Sequence, residues 1–146
     1  MELIPLGTFT VELARKGIFD IGDGPAGKRI IFEVESGRFE GDRLKANIKG
    51  SAGADWSVTD ANGTMTLDVR CTLETDASDS GDSALIYMTY SGRADFSDGP
   101  GTKPIYTAIM FETTHDDYRW LNNIVAVSKG TATGPLSLTY TVHHLS

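Results

Sequence analysis

The sequence predicts an all-β fold, a sandwich or barrel of roughly eight to ten short antiparallel strands. Period-two alternation of apolar and polar residues recurs along the chain, and clusters of Gly, Asp, Asn and Pro break it at short intervals. No long run shows helical spacing, and 16 glycines shift the balance further towards strands. A length of 146 residues suits one domain, 1–146, and 40% apolar residues suffice for a buried interior, which excludes wholesale disorder.

The first strand reads from Leu6 to Leu13, with Phe9, Val11 and Leu13 on one face. Gly22-Asp23-Gly24-Pro25-Ala26-Gly27 looks superficially like a dinucleotide fingerprint, but a strand pattern follows it where that mechanism needs a helix, so it reads as a turn. Arg29 to Val34 puts Ile30, Phe32 and Val34 together, and Leu44, Ala46 and Ile48 oppose Lys45, Asn47 and Lys49. Asp60-Ala61-Asn62-Gly63 ends in Asn-Gly, a strong hairpin signal because both residues tolerate positive φ. The clearest strand follows from Thr64 to Thr75, where Met65, Leu67, Val69, Cys71 and Leu73 form one apolar face.

Ala77 to Asp82 reads as a surface loop, and Ser83 to Tyr90 is apolar on both faces, which predicts a central strand. Ser91 to Pro104 reads as a surface connection; Ile105 to Thr114 and Ile124 to Ser128 read as strands. The last strand puts Leu136, Leu138, Tyr140 and Val142 on one face. A closed barrel removes exposed sheet edges and, at about eight strands, either fills with side chains or holds one small ligand. Closure is the economical arrangement.

Charge and motifs narrow the function. The formal charge of −7 with scattered basic residues argues against a phosphate-tracking surface, so nucleic acid is not expected as a partner. A lone cysteine, Cys71, fits a reducing compartment. No apolar run approaches the roughly 18 residues that span a bilayer, and the start lacks a signal-peptide pattern, so a cytoplasmic protein without a membrane partner is expected. Phosphate-loop, nucleophile-elbow and zinc-helix motifs are missing, and the three histidines, His115, His143 and His144, do not read as a ligand set; no metal or cofactor is expected.

The residues that can carry chemistry are Asp55-Trp56 after a Gly-rich bend, Arg70 in mid-strand, and the run from Phe111-Glu112 to Tyr118, Trp120, Leu121 and Asn122. An apolar wall raises the pKa of a neighbouring carboxyl, which suits Asp55 or Glu112 to general acid or base work. The same residues also read as structure, with both tryptophans in the core, Arg70 paired to Asp55 or Glu112, and Asn122 capping a turn. The face bearing Asp68, Arg70 and Thr72 is either solvent or lumen. Turned inward, Arg70 is a natural partner for a carboxylate, phosphate or enolate oxygen; turned outward, it is a solvated charge.

In these residues the chain resembles the bacterial and fungal proteins of the domain of unknown function 3237, also called UPF0311. The resemblance rests on Gly27-Lys28-Arg29, Gly37-Arg38-Phe39-Glu40-Gly41, Gly53-Ala54-Asp55-Trp56, Asp60 to Gly63 with Leu67-Asp68 and Arg70, and Phe111-Glu112-Thr113 with Tyr118, Trp120-Leu121-Asn122 and Gly130. It implies a closed, lipocalin-like β-barrel without bringing an established reaction. The family motifs fall on Asp55, Trp56, Arg70, Glu112, Tyr118, Trp120 and Asn122. Where relatives usually carry an arginine shortly before Phe-Glu-Thr, this chain has Tyr106 or a neighbour.

Two functions are expected from this set. In the first, the barrel binds a small, partly apolar, oxygenated or anionic molecule through Trp56, Tyr87, Tyr118, Trp120 and Asn122, with Arg70 fixing a polar group. In the second, a cofactor-free lyase or isomerase, Asp55 or Glu112 moves a proton while Arg70 or Tyr118 steadies an oxyanion. Assembly into a homo-oligomer stays open, as does a structural domain with a packed lumen.

Overall fold

The computed structural model describes all residues, 1–146. The alternation closes into one antiparallel barrel of eight strands: β1 (Leu3–Gly24), β2 (Gly27–Glu40), β3 (Lys45–Thr59), β4 (Thr64–Thr75), β5 (Leu85–Asp95), β6 (Ile105–Glu112), β7 (Ala126–Gly134) and β8 (Ser137–Leu145). Each strand pairs with the next in sequence, and β8 returns to β1 with Phe9 opposite Tyr140. Closure leaves the barrel without an edge strand.

Apolar faces turn inward. Phe9, Val11, Phe39, Leu44, Leu67, Val69, Leu73, Ile86, Met88, Ile109 and Val142 are each at most 3% exposed. Ser83 to Tyr90 corrects the expectation of a central strand, because a closed barrel has no centre. On β5, Ile86, Met88 and Tyr90 face the lumen, while Leu85 and Tyr87, 58% and 43% exposed, lie on the outer wall.

Several strands run longer than their alternation. The 22 residues of β1 exceed the height of a small barrel at roughly 3.3 Å per residue. Irregularities at Pro5/Gly7, Glu12/Leu13, Leu13/Ile18 and Asp20/Gly22 bend the strand, and beyond its last pair with β8, Glu12 with Ser137, its end from Ile18 to Gly24 pairs with β2 alone. In β3 a register shift between Lys49 and Ala54 absorbs the Gly-rich bend, which places Asp55 in a continuing strand. The Asp60 to Gly63 hairpin forms as expected. Asp60 Oδ1 accepts from the amides of Asn62 and Thr64 at 2.9 and 3.0 Å, and Gly63 takes φ +85°.

The two ends of the barrel differ. A 3-10 helix, η1 (Asp116–Asn123), crosses the end that holds the β2–β3 and β4–β5 connections. Its Leu121 is fully buried, and Tyr118 and Trp120 pack against the core. The opposite end, ringed by the β1–β2, β3–β4, β5–β6 and β7–β8 turns, stays open. No helix is long and apolar enough to cross a membrane.

Candidate functional site

The open end holds a cavity of about 350 Å³. Its wall is mostly apolar, with Leu13, Phe32, Met65, Phe96, Ile105 and Leu138 among its residues. Its ionisable side chains are four: Asp55, Tyr90, Lys103 and Tyr140.

Asp55 sits on β3 opposite Phe32 of β2 and Val69 of β4, and the strand's alternation turns it into the lumen. Its Oδ1 accepts the backbone N–H of Asp68 at 3.0 Å. Burial pushes the Asp55 carboxyl up from 3.8 to about 6; the Asp68 amide opposes that rise, the Asp68 charge adds to it, and Arg29 weakly opposes it. Half of such carboxyls are ionised near pH 6, so the group gives and takes protons in the neutral range.

Two tyrosines form the floor. Tyr90 on β5 and Tyr140 on β8 meet edge to face, ring centroids 5.7 Å apart, and both rest on Phe9 at 6.2 and 6.3 Å. Phe9 continues to Phe39 and Phe39 to Phe111, an aromatic column that runs from the cavity to the closed end. Burial pushes both phenols well above their ordinary range, and the Asp55 charge adds to the rise, so both stay protonated. The Tyr140 hydroxyl is buried without a hydrogen-bond partner; Tyr90 is close enough to bear on its ionisation but makes no well-formed hydrogen bond to it.

Gly130 of β7 pairs with Tyr140, and a Cβ at that position would collide with the ring, so glycine is what lets the phenol lie flat against the wall. At the rim, Lys103 is held by Asp95 at 2.7 Å and Asp98 at 3.1 Å. Its partner Asp95 is held below the ordinary carboxylate range, first by Lys103 and then by Ser97. Phe96 N donates to Gly63 O at 2.8 Å and ties the β5–β6 connection to the β3–β4 hairpin beside it.

The residues singled out from sequence do not converge on this cavity. Asp55 alone lines it. Trp56, one residue on, lies on the opposite face of β3, where the Arg70 guanidinium stacks 4.5 Å from its ring centroid. Arg70 is exposed on the outer wall, so its inward reading is corrected: Val69 is the residue of that pair turned to the lumen.

Tyr87 and Glu112 are cross-strand partners on the outer wall. Tyr118, Trp120 and Asn122 belong to η1 at the closed end. There Tyr118 lies against His115 with ring centroids 5.7 Å apart, Arg43 stacks 3.7 Å above Trp120, and Asn122 clamps the Thr113 backbone. Its Oδ1 accepts Thr113 N and its Nδ2 donates to Thr113 O, each at 2.8 Å. These bonds fasten the plug.

Sequence reasoning missed Tyr90, Tyr140 and Lys103. The signal for Tyr140 was present: it is the one hydroxyl-bearing residue on the apolar face Leu136, Leu138, Tyr140, Val142. Lys103 sits in a connection whose course no periodicity fixes. No three His, Cys, Asp or Glu side chains gather in a metal-binding arrangement. Cys71 is buried, and burial pushes its thiol up to about 12, which leaves it unreactive.

No curated protein matches the chain significantly in sequence. Solved structures do. A β-barrel-like protein of Acinetobacter baumannii AYE is 33% identical, with TM-score 0.82 over 99% of this chain and 96% of that one. A Clostridium acetobutylicum protein described as of unknown function is 20% identical, with TM-score 0.82 over all of both chains. A protein described as an enzyme from Penicillium herquei is 22% identical, with TM-score 0.64 over 99% of this chain and 98% of that one. The last two likenesses concern the fold alone. Residues 1–145 match the family described as Protein of unknown function (DUF3237), and with nearly its whole length matched the chain belongs to that family.

Proposed function

We propose that the open half of the barrel binds one small, mostly apolar molecule whose oxygen-bearing end meets Asp55 and the Tyr140 hydroxyl. The observation that carries this reading is the unpartnered Tyr140 O–H. A buried hydroxyl without a partner costs roughly 1–3 kcal/mol, and an oxygen on a guest removes that cost. The cavity, about 350 Å³ with a predominantly apolar wall, matches the small end of ligand sites. Phe32, Phe96 and Leu138 supply contact area, and the two polar groups set orientation.

A second reading gives the same guest a reaction, and the specific observation that favours it is a lumenal carboxyl pushed up to about 6 beside a protonated phenol. With a β,γ-unsaturated ketone in place, the Asp55 carboxylate takes a proton from the carbon between the carbonyl and the double bond. The C–H electron pair moves to the oxygen as an enolate, which the Tyr140 hydroxyl stabilises by donation. Return of the proton from Asp55 to a conjugated carbon regenerates the carboxylate and yields an isomer. No oxidant, reductant or cofactor enters the balance.

Titration of the protein with β-naphthol, followed by its fluorescence and by calorimetry, tests the site. Saturable binding at one site per chain is expected, and Ala132→Trp, which fills the cavity from the β7 wall, should abolish it. Equal affinity in the two proteins would remove the guest from the lumen.

A further inference from the structure

Building on the lumenal site proposed above, we propose that it selects uncharged ligands ending in a hydroxyl or carbonyl, and turns away carboxylates and phosphates. The argument is the distribution of charge around the cavity. No arginine lines it. Arg70 stacks on Trp56 outside the wall, and the Arg29 guanidinium donates to the backbone carbonyls of Trp56 and Ser57 at 2.7 and 3.4 Å. The lining ammonium, Lys103, is already bonded to the Asp95 and Asp98 carboxylates.

An anion entering at the rim therefore meets two carboxylates around one ammonium, and deeper in it meets Asp55, where the nearest cation, Arg29, is held on backbone carbonyls and does not line the cavity. Both floor groups, Tyr90 and Tyr140, are neutral phenols. A phenol, alcohol or ketone has no such conflict: its oxygen accepts from Tyr140, and a hydroxyl donates to the Asp55 carboxylate. Like charges across a short distance in an apolar setting repel strongly, whereas a charge-assisted O–H···O⁻ bond is among the stronger hydrogen bonds.

Two probes of one shape decide it. β-Naphthol is neutral and β-naphthoate is an anion between about pH 5 and pH 8. At about pH 8 the naphthol should bind at least about tenfold more tightly than the naphthoate. The charged and titratable groups that bear on Asp55 are Arg29 from β2, Asp68 from β4, Tyr90 from β5 and Tyr140 from β8, with Lys103 at the rim; burial displaces the Asp55 carboxyl towards neutrality.

Lowering the pH of the wild-type protein to about 5 should accordingly raise naphthoate affinity about tenfold. Asp55→Asn should show that raised affinity at either pH, and the wild-type pH series carries the test if the variant does not fold. Naphthoate binding as tightly as naphthol at about pH 8 would overturn the selectivity and leave the lumenal site standing. Failure of both probes to bind would overturn the lumenal site, and the selectivity with it.

Discussion

The two ends of this barrel are made from the same alternating strands and filled in opposite ways. At the closed end Leu6, Phe39, Leu44, Leu73, Ile86 and Leu121 are each at most 5% exposed. At the open end Leu13, Phe32, Phe96, Leu136 and Leu138 are only half-buried, around a cavity of about 350 Å³. An eight-stranded barrel has room to pack itself or to take one small guest. This chain packs one half of its length and leaves the other hollow, a division of tasks whose boundary is the Phe9–Tyr90–Tyr140 cluster. Stability concentrates below that boundary, and the polar groups whose interactions are incomplete lie at and above it.

The largest expected effect is therefore at the plug. Leu121→Ala removes a fully buried side chain from the middle of η1 and should cost about 2–5 kcal/mol in denaturant unfolding. The folded variant should keep its β-naphthol affinity within about twofold, since substitutions at distant sites act independently. A loss under about 1 kcal/mol would show that the barrel packs without its plug, and the division of tasks would fail.

At the open end the sign reverses. Asp55 holds its proton more tightly folded, at about 6, than in the ordinary range at 3.8. The native state therefore binds more protons across that window, and stability falls as pH rises through it. Asp55→Asn keeps an acceptor for the Asp68 amide and removes the charge. It should match the wild type near pH 4 and exceed it by about 2–3 kcal/mol near pH 8. The same variant tests the proton-transfer reading: wild-type protein should speed deuterium exchange of β-tetralone in heavy water, with a rate that rises through about pH 6 and disappears in Asp55→Asn. Exchange no faster than in buffer would leave the cavity a binding site alone.

The difference between the ends also explains what the sequence revealed. Fold is encoded in alternation, a local signal, so β4 is legible residue for residue from Thr64 to Thr75. The barrel's inner face follows from the same parity, but in β3 the shift between Lys49 and Ala54 exchanges the two faces, so that Asp55 points inward along with Ala46 and Ile48 and its place was not legible. The rest of the site is written across strands: Tyr90, Tyr140 and Lys103 lie on β5, on β8 and in a connection, and only closure of β8 onto β1 brings them together.

Motif density misled for a related reason. Trp56 and Arg70, like Tyr118 to Asn122, gather chemistry-bearing residue types in short stretches, yet successive strand residues point to opposite sides of a wall. Asp55 and Trp56 are neighbours in sequence and face opposite sides of the barrel. The η1 turn was not legible as a helix, since its eight residues offer one buried position, Leu121, and no apolar repeat.

Arg70 gives the smallest expected effect and the sharpest view of the wall. Its guanidinium stacks on Trp56 in contact with water, an arrangement worth about 0.5–1 kcal/mol. Arg70→Ala should lower stability by no more than that, and because Arg70 lies on the outer wall and does not line the cavity, β-naphthol affinity should be unchanged within about twofold at low and at high salt. A salt-dependent fall in affinity would mean that the field of this cation reaches the guest through the wall. The inside and outside of β3 and β4 would then act as one electrostatic unit, and an anionic end on the guest would regain the partner that the lumen itself does not provide.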